Sequence, residues 1–135
     1  MTTRAPRFLL AFSSLLMTIG GASHAAAFNR TLAAVATSDL APFYGGSLKL
    51  LWLADSATMF ILAALFGLIA ARPTTATSPV VLLLALIPAA TAALVYTFLG
   101  NFFAGHILLV TAVTVFFAGL LFPRAKVQAG DSSIR

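Results

Sequence analysis

Four stretches of this chain stay apolar for about twenty residues each, the length an α-helix needs to cross the hydrocarbon of a bilayer. They run from about Phe8 to Ala27, Leu48 to Ala71, Pro79 to Leu99 and Phe102 to Phe122. In hydrocarbon no water is present to satisfy backbone N–H and C=O groups. A spanning segment must therefore bond within itself as a helix, or join a closed barrel. Apolar runs of this length, without alternation, predict helices. The fold expected is an all-α membrane protein, a single domain of four antiparallel transmembrane helices over residues 1–135, with a polar tail at 123–135.

Composition agrees. Hydrophobic residues make up 61% of the 135 and charged residues only 8%, against about 25% charged in ordinary soluble domains. There is too little polar surface to cover such a core in water. The chain has no cysteine, so disulfides, thiolate metal sites and cysteine nucleophiles are excluded.

The net charge of +5 is not a nucleic-acid signature. The basic residues stand singly or in pairs at the ends of apolar runs, and no basic stripe carries interleaved aromatics. They read as topology determinants. Arg4, Arg7, Arg72, Arg124, Lys126 and Arg135 fall on one side, and only Arg30 and Lys49 on the other. The positive-inside rule then puts both termini in the cytoplasm, in a membrane of the bacterial inner-membrane type. Tyr44, Trp52, Tyr96, Phe98, Phe102 and Phe103 gather near the outer boundary, where amphipathic rings are favoured. A second reading of the first span stays open. Arg4 and Arg7, the apolar Phe8–Ile19 stretch and the small residues around Ser23-His24-Ala25 also fit a secretory signal.

The connections are clear. Residues 28–47 form the longest, with a short interfacial helix expected at Arg30–Thr37 and a turn at Pro42–Gly46. Arg72–Ser78 is a polar loop, and Gly100-Asn101 a tight turn that makes the third and fourth spans neighbours. Small residues let helices approach closely in lipid. Ala85, Ala89 and Ala93 are spaced four apart on the third span, as are Gly21 and Ala25 on the first. Gly105, Ala112 and Gly119 are spaced seven apart on the fourth. These are the expected contact stripes. Pro88 is expected to kink the third span and free the Leu84 carbonyl.

Function is sought where burial is costly. Asp55 is the one acid inside an expected span, and an aspartate near a helix centre costs about 2.5–3.5 kcal/mol on insertion scales. His24 and His106, the chain's two histidines, fall in the same outer layer. Trp52, Asp55, Ser56 and Met59 share one helix face by three- and four-residue spacing, as do Phe102, Phe103, His106 and Val110. A ligand pocket is expected from His24, Trp52, Asp55, Ser56, Tyr96, Asn101 and His106, suited to a quinone, haem or lipid head. His24, Asp55 and His106 are the candidate metal ligands, a set suited to zinc or non-haem iron, or alternatively a proton relay. Lys49 lies six residues from Asp55, points elsewhere on the helix, and snorkels to the headgroups.

No phosphate-binding loop, dinucleotide fingerprint, nucleophile elbow or zinc-protease helix is present. In length and span count the layout is similar to several families of small bacterial four-helix membrane proteins, such as DoxX-like proteins. No motif matches residue by residue, so no residue role carries over. The expectation is a non-enzymatic accessory or ligand-binding module, partnered by the bilayer and by other membrane subunits or copies of itself. The alternative is a small membrane enzyme.

Overall fold

The computed structural model describes residues 4–122, and the expected polar tail with Arg124, Lys126 and Arg135 lies outside them. The described chain is helix and short connections: α1 (Arg4–Ala26), α2 (Phe28–Ala36), α3 (Pro42–Ala71), α4 (Ser78–Leu99) and α5 (Phe103–Leu121), with a single 3-10 turn at Pro73–Thr75. Four helices are long and apolar enough to cross a membrane, α1 running almost directly into α2. At 1.5 Å per residue α4 is about 33 Å long and α5 about 29 Å, matching about 30 Å of hydrocarbon.

α3 differs from expectation. At 30 residues it is about 45 Å long, more than the hydrocarbon thickness of about 30 Å, and its first turns overhang the end of α1. Its first turn is Pro42–Gly46, the segment expected to be a turn. The reason is local. Ala41 is extended (ψ 145°) ahead of Pro42, which occupies the start of the helix, where its missing N–H costs nothing and its fixed φ suits the helix. α2 packs against this overhang, with the Val35 side chain lying over Gly45. The short helix expected at Arg30–Thr37 begins slightly earlier, at Phe28, because Ala27 keeps a helical conformation (φ −76°, ψ −6°).

α1 packs along α3, α5 packs along α4, and α1 against α5 joins the two pairs. The contact order is therefore α3–α1–α5–α4. Hydroxyl and guanidinium groups fix the register. Arg7 Nε–H donates to the Ala70 carbonyl at 2.8 Å, tying the start of α1 to the end of α3. Ser14 donates to the Ala63 carbonyl at 2.7 Å. Ser13 and Thr114 share a hydrogen bond of 2.7 Å between α1 and α5. Ser78 donates to the Gly119 carbonyl at 2.7 Å, joining the start of α4 to the end of α5. The α1–α3, α1–α5 and α4–α5 pairs are antiparallel. One end of the molecule thus carries Arg4, Arg7 and Arg72 and is called the arginine end; the other carries both histidines and is called the histidine end.

The core runs through Leu10, Met17, Phe66, Val81, Val115 and their neighbours. Gly105, Ala112 and Gly119 of α5 are all buried. On α4 the stripe is shifted from expectation: Val81, Ala85, Pro88 and Ala92 are buried, while Ala89 is half-buried and Ala93 exposed. Strict four-residue steps drift around a helix of 3.6 residues per turn, whereas steps of four, three and four stay on one face. Pro88 sits inside α4 without ending it, its ring turned into the core. Gly100 closes α4 at φ +69°, a conformation that L side chains rarely adopt.

Candidate functional site

Two helices bring the main cluster together. α1 carries His24 in its last turn, and α3 presents Trp52, Asp55 and Ser56 on one face. The His24 imidazole stacks on the Trp52 indole, centroids 4.1 Å apart and planes at 12°. The indole Nε1–H donates to the His24 carbonyl at 2.8 Å, so one side chain grips both the ring and the backbone of His24. That carbonyl also accepts from the Ala27 N–H at 3.2 Å, so the indole takes up its second lone pair. His24 Nδ1 is 2.9 Å from Ser56 Oγ, and Nε2 is 3.5 Å from Asp55 Oδ2. The second distance is within ion-pairing reach but longer than a well-formed hydrogen bond. Ser56 is buried; Asp55 is more open than His24, its side chain 39% exposed against 23%.

These distances allow two hydrogen-bonded arrangements. With His24 neutral, Nε2–H faces Asp55 and Ser56 donates its hydroxyl hydrogen to Nδ1. With His24 protonated, Nδ1–H donates to Ser56, whose hydroxyl turns to the Trp52 carbonyl 3.1 Å away. Rotating one O–H accommodates the proton. Among the described residues no buried side-chain polar atom lacks a partner. Ser, His and Asp in contact suggest a nucleophilic triad, but Ser56 is only 4% exposed and cannot reach a substrate as it stands.

The other expected site residues form a separate group at the α4–α5 turn. Tyr96 meets His106 edge-to-face, centroids 5.6 Å apart. His106 Nδ1 lies 3.1 Å from the Phe102 carbonyl, an exposed contact in its own helix's first turn. Asn101 is exposed in the turn itself. His106 therefore does not join His24 and Asp55, and among the described residues no group of three His, Cys, Asp or Glu side chains is placed to hold a metal ion. The physical reason is rotational. His106 meets Tyr96 of α4 and the Phe102 carbonyl, whereas α5 meets α1 through Thr114, bonded to Ser13, and through Ile107 and Leu108, which share a pocket with Met17 and His24.

A pocket of about 290 Å³ lies beside the His24–Trp52 stack. α1 contributes Met17, Gly20, Ser23 and His24; α3 contributes Trp52 and Met59; the start of α5 closes it with Phe103 and Ile107. Compared with known proteins, the chain matches no protein family, no curated protein and no solved structure. The likeness in length and span count to small four-helix families is not joined by a shared sequence family. The pocket is apolar except at the His24 and Ser23 corner. Sequence inspection missed Met17, Gly20, Ser23 and Ile107, because apolar and small side chains are too common in such a chain to stand out.

Proposed function

We propose that this protein is a non-enzymatic membrane module that binds an amphipathic molecule at the histidine end. The pocket between α1, α3 and α5 carries this reading, since it offers one polar corner in an apolar enclosure. Ligand sites are mostly apolar with a few placed polar groups, and about 300 Å³ is their lower size limit. The match is therefore to a molecule whose small hydrogen-bonding head meets the Ser23 hydroxyl beside His24 while its apolar body lies against Met17, Met59 and Phe103. Trp52 holds His24 by stack and hydrogen bond, which reduces the ordering cost of binding. The distribution of arginines supports an orientation with the histidine end outward in a bacterial-type inner membrane.

The test is purification of the full chain in mild detergent, with mass spectrometry of co-purifying lipids and small molecules. An amphipathic species should be enriched in the native protein, lost in Ile107→Trp, which fills the pocket, and retained in Ile61→Trp, which alters an exposed face. No enrichment, or equal enrichment in Ile107→Trp, would sink the reading.

The second reading is a small membrane enzyme in which His24 and Asp55 transfer a proton. The observation favouring it is the Ser56–His24–Asp55 contact chain. Asp55→Asn separates the two: a binding module keeps its ligand, whereas a proton-transferring enzyme loses turnover.

A further inference from the structure

The arginine end holds a second cavity, independent of the histidine-end pocket. A groove of about 440 Å³ runs between α1 and α3, lined by Arg7, Ala11 and Ser14 on one side and Gly67, Ala70 and Ala71 on the other. The small side chains create it. Ala11 and Ala71 are exposed, so the groove opens sideways to lipid. From Arg7 to Ser14 the helix rises about 10 Å, most of the roughly 15 Å depth of one hydrocarbon leaflet. The groove thus runs in the direction of an acyl chain and ends at a guanidinium.

Charge narrows the occupant. The bond from Nε to the Ala70 carbonyl fixes the Arg7 guanidinium at the mouth and uses one of its five N–H groups. Arg4 lies one turn earlier on α1, and Arg72 directly follows Ala71. Both acids among the described residues, Asp39 and Asp55, belong to the opposite end. We propose that this groove is a binding site for an anionic phospholipid, one acyl chain between α1 and α3 and the phosphate on the Arg7 guanidinium, with Arg4 and Arg72 adding attraction. A planar guanidinium fork suits phosphate oxygens, and basic pockets between transmembrane helices select anionic headgroups.

Native mass spectrometry of the delipidated full chain tests this, with phosphatidylglycerol, phosphatidylcholine of the same acyl chains, and glycerol 3-phosphate as probes. Phosphatidylglycerol should bind at least about fivefold more tightly than phosphatidylcholine, the effect of one basic residue near the surface. Arg7→Gln should lower that preference about fivefold, leaving what the more distant Arg4 and Arg72 add. Ala11→Leu, at an exposed position, should weaken both lipids by filling the groove. Equal binding of the two lipids by the native protein overturns the proposal. So does an unchanged preference in Arg7→Gln, which would leave Arg7 as a helix cap alone. Unaltered lipid binding by Ala11→Leu overturns it too, and that variant carries the test if Arg7→Gln fails to fold. Glycerol 3-phosphate binding as tightly as phosphatidylglycerol would also overturn it, pointing to a phosphate site without a lipid chain.

Discussion

Trp52 is the chain's single tryptophan, and it touches His24 in two ways that substitution can separate. Trp52→Phe keeps an aromatic face against the imidazole and removes the 2.8 Å bond to the His24 carbonyl. The expected loss is about 0.5–1.5 kcal/mol, the net worth of a hydrogen bond, measured by reversible unfolding in mixed micelles. Trp52→Ala should cost more, because the stack goes as well.

Helices in lipid are held by close packing and by inter-helix hydrogen bonds, and both are testable on single elements. A Cβ at Gly119 would meet the Leu82 side chain at 2.8 Å and the Leu82 backbone nitrogen at 3.2 Å. Backbone cannot swing aside as a side chain can, so Gly119→Ala must separate α4 from α5. We expect a loss of about 1–3 kcal/mol, the usual cost of overpacking. Gly46 lies in the overhang of α3 with nothing within 4 Å of a built Cβ. There Gly46→Ala should stabilise by about 0.5–1 kcal/mol through helix propensity. Unfolding midpoints of the two variants should move in opposite directions. Ser13 and Ser14 reach different neighbours, Thr114 on α5 and Ala63 on α3. Alanine at each should cost about 0.6 kcal/mol, with the double variant close to the sum.

For the molecule as a whole, the distinctive property is that α1 sits between α3 and α5. Because the chain has no cysteine, introduced pairs report on this arrangement cleanly. Ser13→Cys with Thr114→Cys should form a disulfide readily in membranes, since the native oxygens are 2.7 Å apart. Ile61→Cys with Leu83→Cys, at exposed positions of α3 and α4, should not. Failure of the first pair would overturn the α1–α5 contact and with it the pocket, which needs both helices. α1 also carries His24 and Ser14, and Arg7 at the mouth of the groove. Both proposed sites therefore depend on it, and an intact mass from the membrane fraction should include it. A mature chain starting near Ala25 would remove both sites.

The order of amino acids alone dictates how many helices there are, roughly where they stop and which residues are chemically unusual. Helix count follows from hydrocarbon thickness and from the need to satisfy backbone groups without water. Pro79 and Gly100 punctuate α4 for reasons visible in those residues alone. The shared face of Trp52, Asp55 and Ser56 was also legible, because helical spacing fixes it. Which faces meet was not legible. In water, polar residues mark the outside of a helix; in lipid, leucine is as well solvated outside as inside, so the pattern does not mark the buried side. Hence the buried stripe of α4 differed from the expected alanine row, and His24 found Asp55 while His106 turned to Tyr96. Only the tertiary contact order placed α1 in the middle, and that position creates both the pocket at the histidine end and the groove at the arginine end.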